Sequence, residues 1–260
     1  MLYSMYLSTM DFVPADVSLF RSSMEALKEF LPIAQLRLSA DGLRIGGMDS
    51  SHAGFVDYYL AAADCSKADI KKPLVIGIQM AVFTKVLASV GSSDTLALSI
   101  SKKDHLVIST YNTKMAKKAV YEITMLDIDD TALDLPTFAY AGDITMKTAD
   151  LFSVVKEMAH FGDILALTLD EEGLHLATTG DSGQVKQLLE NTEDREMSLT
   201  GDSVAASFGT KYIAMILKGG APLAATMQLE FDPAQPLKAS FRFGAGSYFI
   251  AYLAPRVLDD

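Results

Sequence analysis

The chain has 260 residues, 50% of them apolar and 21% charged, a composition that excludes a disordered segment and leaves room for a sizeable core. Its one cysteine, Cys65, excludes an internal disulfide and a thiolate metal set. The net charge of −11 argues against a uniformly basic nucleic-acid surface, although phosphate contacts depend on where Lys and Arg sit and not on their sum.

In chain order, Met1-Leu2-Tyr3-Ser4 shows no basic region before an apolar block, so no secretory signal is expected. No apolar run is long enough for a bilayer span, so a soluble intracellular protein is the expectation. A first amphipathic helix is predicted from Phe20, Met24, Leu27 and Leu31 at helical spacing. Alternating Leu36-Arg37-Leu38, the turn Asp41-Gly42 and Leu43-Arg44-Ile45 follow as a strand pair. A second helix carries Phe83, Val86, Leu87 and Val90, followed by strands at Leu96–Ile100 and Leu106–Ile108 around a turn near Lys103-Asp104. The acidic stretch from Met125 to Pro136 has weak periodicity and reads as an exposed connector. The third helix has Leu151, Val155 and Met158, and its strands are Leu165–Leu169 and Leu174-His175-Leu176. The fourth has Tyr212, Met215 and Ile216, then Met227–Phe231, a turn at Asp232-Pro233 and Phe241-Arg242-Phe243.

The two halves repeat. Leu19-Phe20, Glu25 and Asp49-Ser50 recur as Leu151-Phe152, Glu157 and Asp181-Ser182, offset by 132 residues. Helices alternating with period-two strands predict an α+β fold of antiparallel sheets with one face covered by helices. The expected division is 1–124, a connector at 125–137, and 138–260.

Met48-Asp49-Ser50-Ser51-His52, Leu126-Asp127-Ile128-Asp129, His160-Phe161-Gly162-Asp163 and Tyr252-Leu253-Ala254-Pro255-Arg256-Val257 occur in one order across the chain. Together they resemble the DNA polymerase sliding clamps of the proliferating cell nuclear antigen family. The resemblance implies the DNA clamp fold, with two similar domains per subunit and four helix–strand units. It also implies a head-to-tail homotrimeric ring around duplex DNA, helices lining the hole and sheets outside, closed by strands near Lys117–Thr124 and Gly183–Asn191 of neighbouring subunits. Such a ring confers processivity on the replicative polymerase, has no catalytic residues, no cofactor and no metal, and contacts no membrane. Its place would be the nucleus, or a viral replication compartment.

Arg21 and Lys28 stand seven residues apart and share a helix face. Lys211 and Lys218 repeat the spacing, and Lys28 and His160 are equivalent in the repeat. Lys28, Lys85, Lys156, Lys211 and Lys218 match positions where the family tends to carry inward-facing basic residues; with Arg21 on the face of Lys28 and His160 one turn from Lys156, sequence-nonspecific DNA contact is expected for all seven. Ala88 stands where the family often has another basic residue, and Glu171 where many relatives carry a lysine modified by ubiquitin. The partners implied are the polymerase, a clamp loader and other proteins with glutamine–aliphatic–aromatic peptide motifs. The matching pocket positions are Met48, His52, Ala53, Phe55, Leu133, Leu135, Pro136, Pro236, Tyr252, Ala254, Pro255 and Val257, mostly apolar, as an aromatic anchor requires. Phe55 is larger than the aliphatic residue expected there.

A checkpoint-type clamp, or one subunit of a heterotrimer, would share this fold. The enzyme class lacks a constellation. Gly180-Asp181-Ser182-Gly183 looks like a protease nucleophile segment, but no His has the surrounding sequence of a catalytic base. His52, His105, His160 and His175 lack metal-ligand spacing. Gly244-Ala245-Gly246 lacks the third glycine and the helix of a dinucleotide loop. Asp129-Asp130 and Glu171-Glu172, if on strands, would point to opposite faces and read as solvated charge.

Overall fold

The computed structural model describes residues 10–101, 104–128, 135–181 and 183–256. Two compact units divide the chain: Met1–Gly47, Asp57–Leu133 and Phe243–Tyr248 form the first, and Met48–Val56, Asp134–Arg242 and Phe249–Asp260 the second. The elements alternate as the periodicity predicts. In order they are β1 (Met10–Pro14), α1 (Val17–Phe30), β2 (Ile33–Ser39), β3 (Gly42–Met48), β4 (Gly54–Ala61), β5 (Cys65–Ile70) and β6 (Leu74–Gln79). Then come α2 (Met80–Ala88), β7 (Thr95–Ser101), β8 (His105–Asn112), β9 (Lys117–Thr124), β10 (Gly142–Lys147), α3 (Thr148–Met158), β11 (Ile164–Asp170) and β12 (Gly173–Gly180). The rest are β13 (Gly183–Glu190), β14 (Glu196–Leu199), β15 (Ser203–Gly209), α4 (Thr210–Gly220), β16 (Thr226–Asp232), β17 (Gln235–Phe243) and β18 (Ser247–Leu253).

Every pairing of known register is antiparallel. The first unit has the order β5-β1-β7-β8-β9 and, separately, β6-β2-β3. The second has β13-β12-β11-β15 and β14-β10-β16-β17, and strands β4 and β18 give residues to both units.

Helix α1 starts where the Asp16 carboxylate accepts from the Leu19 N–H at 2.9 Å, satisfying a donor the helix cannot. It stops at Phe30 because Leu31 precedes Pro32 and turns extended, φ −119°. Leu31 and Val90, expected on the helical stripes, therefore lie just past the ends of α1 and α2, still buried. The stripe of α4 is also rotated from the expected one. Ile213, Ile216 and Leu217 are buried, whereas Tyr212 and Met215 are half-buried at its margin. At the end of α4, a Cβ on Gly220 would sit 2.2 Å from the Phe241 ring, so glycine lets helix and sheet close up.

In the first unit α1 packs on α2, with Phe20 and Phe83 edge to face at 6.3 Å, over buried Leu36, Leu38, Leu96 and Leu98. In the second, α3 packs on α4 above Leu165, Leu167, Leu169, Leu174 and Leu176. Each such side chain contributes roughly 1.5–3 kcal/mol by leaving water.

The stretch read as an exposed connector begins docked on the first unit. The Leu126 N–H donates to the Gly77 carbonyl at 2.8 Å, and Leu126 and Ile128 are half-buried. A Cβ at Gly77 would come within 2.6 Å of Ile128 Cδ1, so this glycine makes room for the docking. Glu171 and Glu172 form the exposed turn between β11 and β12, which corrects the strand placement and keeps their solvated character. Lys103, Asp129 and Asp130 lie outside the described residues.

Candidate nucleic-acid interface and peptide pocket

Each of the four α-helices among the described residues carries a basic residue in its last turn: Lys28, Lys85, Lys156 and Lys218. A cation there complements the helix dipole by about 0.3–1 kcal/mol, so local stability alone gives these positions one use. Their surroundings separate them. Arg21 is half-buried and its guanidinium donates to the Val90 carbonyl at 2.6 Å. Lys28 is half-buried and pairs with Glu25 one turn earlier, at 2.5 Å. Both are held by local partners. Lys85, Lys156, Lys211 and Lys218 are exposed and make no ion pair among the described residues. His160 is exposed just past α3, and its N–H caps Glu157 O. Ala88 is exposed at the end of α2.

Among the strands at sheet edges are β9 in the first unit and β13 in the second. Their outer backbone groups are a template for another strand. β9 exposes Val120 to 63% of its surface, and β13 exposes Leu188.

The described pocket positions lie in the second unit. Ala254 N–H donates to Ala53 O at 2.9 Å, tying the C-terminal stretch to the start of β4. Phe55 is buried and its ring tilts against Tyr252 at 6.1 Å. Tyr252 in turn meets Phe138, and Phe138 meets Tyr140, at 6.0 and 6.2 Å. Met48 is exposed on the rim, with its sulfur 3.3 Å from Nδ1 of exposed His52. Pro136 and Ala254 are exposed, while Leu135, Pro236 and Pro255 are half-buried. Leu133 and Val257 lie outside the described residues.

The loop from Asp49 to Ala53 is built around one carboxylate. Asp49 is 8% exposed. It accepts from Gly54 N at 2.6 Å, Ser51 N at 3.1 Å, the Ser51 hydroxyl, and the Tyr212 hydroxyl at 3.3 Å. Burial by itself raises the carboxyl pKa, but these donors outweigh it and hold Asp49 below its ordinary value. His52 takes a left-handed φ of 58°, uncommon for a non-glycine residue, so the loop is held in a conformation His would not choose.

Residues 12–132 match the family pattern for the N-terminal domain of proliferating cell nuclear antigen, and residues 134–256 that for its C-terminal domain. The chain belongs to the proliferating cell nuclear antigen family. The crystal structure of proliferating cellular nuclear antigen from Entamoeba histolytica superposes on this chain with a TM-score of 0.89 at 23% identity, covering 96% of this chain and all of that one. The fold is therefore that of the family's clamps, which are non-enzymatic scaffolds.

Phe138 and Tyr140 extend the aromatic row, and burial pushes the Tyr140 phenol pKa well up. The aromatic pair at 138 and 140, just after the connector, was the available signal. Asp49 and Tyr212 stand 163 residues apart, and no local pattern links them.

Proposed function

We propose that this chain is a sliding-clamp subunit that closes as a homotrimer around duplex DNA and tethers the replicative polymerase and other clients. The carrying observation is the set of exposed lysines on the solvent side of amphipathic helices, Lys85 on α2, Lys156 on α3, and Lys211 and Lys218 on α4. In a protein of charge −11, exposed lysines on helix faces would accept phosphate, while the acidic remainder repels it. Point-charge contacts read no bases, so the complex glides. Contacts of this kind bind at roughly 10⁻⁴ to 10⁻⁶ M, too weakly to retain DNA without encirclement. Arg21 and Lys28 serve the same surface in a lesser role, since their partners already hold them, and His160 completes it.

Edges β9 and β13 are the strands through which subunits join. On the domain reading, 1–124 and 138–260 are the two clamp domains and 125–137 their connector. The client site comprises Met48, His52, Ala53, Phe55, Leu135, Pro136, Pro236, Tyr252, Ala254 and Pro255, with Leu133 and Val257 as further members. It takes a peptide with a glutamine, an aliphatic residue and paired aromatics. The nucleus is the compartment of such work.

Sedimentation should give a trimer from the pure chain, and a cognate polymerase should become processive with it. Reversing Lys156 and Lys211 to Glu should weaken DNA retention at least tenfold on primed circular DNA, with the trimer intact, since each phosphate contact contributes to the salt-dependent term. A strictly monomeric protein would sink the ring. A double variant that dissociates would mean that these lysines hold subunits and not DNA.

A further inference from the structure

Tyr212 is the second residue beyond α4's start at Thr210 and sits at the margin of the buried stripe, half-exposed. Its position is not explained by the core. Its hydroxyl lies 2.5 Å from Ser51 Oγ and 3.3 Å from Asp49 Oδ2, both in the loop between β3 and β4. Since the Ser51 hydroxyl donates to Asp49, its oxygen is left to accept, and the one Tyr212 proton, shared between Ser51 Oγ and Asp49 Oδ2, completes a relay of tyrosine, serine and carboxylate. The relay ends on the one side chain that also fixes Ser51 N and Gly54 N. Between those anchors sit His52, with its left-handed φ, and Ala53, whose carbonyl holds Ala254.

We infer that Tyr212 is a positioning residue for the client pocket: its hydroxyl latches the 49–54 loop from helix α4, so the helix that presents Lys211 and Lys218 also sets the pocket rim. The inference rests on the client-site reading above. The loop's other hydrogen bonds come from its own residues, from Met48 and from Ala254, and a segment that short, with a left-handed His, has alternatives near in energy. One restraint from a rigid helix selects among them. The peptide then meets Met48, His52 and Ala53 already placed, and does not bear the cost of ordering them.

Tyr212→Phe removes a single oxygen and leaves the ring in its packing. Fluorescence anisotropy with a synthetic labelled peptide of the glutamine–aliphatic–paired-aromatic type should show binding weakened about two- to tenfold, the range of one net hydrogen bond. Amide exchange at residues 50–54 should quicken by a similar factor, while the centre of α4 exchanges as before. Ser51→Ala should weaken the peptide comparably. The double variant should be no worse than the stronger single one, because both cut the same relay. Additive losses would mean that the two hydroxyls act separately and would overturn the latch. Wild-type binding with an unaffected Tyr212→Phe variant would overturn it too, leaving the pocket intact. Absence of binding by the wild-type protein would remove the pocket reading itself, and the inference with it.

Discussion

The hairpin end of β3 and β4 and that of β12 and β13 descend from the same repeat, yet they are held in opposite ways. Asp49 and Asp181 are equivalent, both followed by serine. Asp49 is buried and gathers four donors, whereas Asp181 is exposed. One position earlier, Met48 projects into solvent, while Gly180 is pressed against the backbone: a Cβ there would fall 1.9 Å from Phe161 O. A Cβ on Gly162 would likewise fall 2.5 Å from Thr178 Oγ1 and Thr179 O on the same strand. The second hairpin is thus packed by backbone against backbone, and the first is held by a polar side-chain cluster. A repeat conserves the shape of the scaffold, and the loops decide which copy carries a site.

This contrast can be broken at several depths. The largest loss should follow Gly180→Ala, where the intruding methyl meets a carbonyl that cannot swing away. Urea unfolding should show at least about 2–3 kcal/mol less stability. Asp49→Asn should cost less, about 1–3 kcal/mol, because buried N–H and hydroxyl donors lose a charged acceptor. Its pH signature is specific. The folded carboxyl titrates below the ordinary aspartate range, so its contribution is fully present above the unfolded pKa and is lost as pH falls through the folded one. The stability gap between wild type and the Asn variant should therefore be constant at neutral pH and narrow below about pH 4. A gap that persists unchanged under acid would place the cause in amide geometry and not in charge. Asp181→Ala should change stability by less than about 0.5 kcal/mol. If it matched the Asp49 variant, the asymmetry between the hairpins would be lost.

A similar contrast runs through the basic residues. Residue type and helical spacing mark Arg21 and Lys28 as strongly as Lys211 and Lys218, because both pairs stand seven apart. Only the packed structure separates them, since Val90 O is 69 residues away from Arg21. Lys28 is different: Glu25 lies one turn before it, so that ion pair was open to the helix rule for neighbours three apart.

The sequence by itself determined the four amphipathic helices, the strand pairs that follow them, the duplication and the family. Those are properties of periods of two and 3.6 residues and of short motifs, and they survive without knowledge of distant contacts. It placed α4's buried stripe one residue off, read a docked stretch as exposed, and gave no sign of β1 or β5, whose pairing joins Met10 to Ile70. Only tertiary structure decided which Asp of a repeated pair is buried, which glycine excludes a Cβ, and which helix reaches the loop from Asp49 to Gly54. The Tyr212–Asp49 contact spans 163 residues and the approach of Gly180 to Phe161 joins separate segments, where side-chain geometry acts and local pattern is silent.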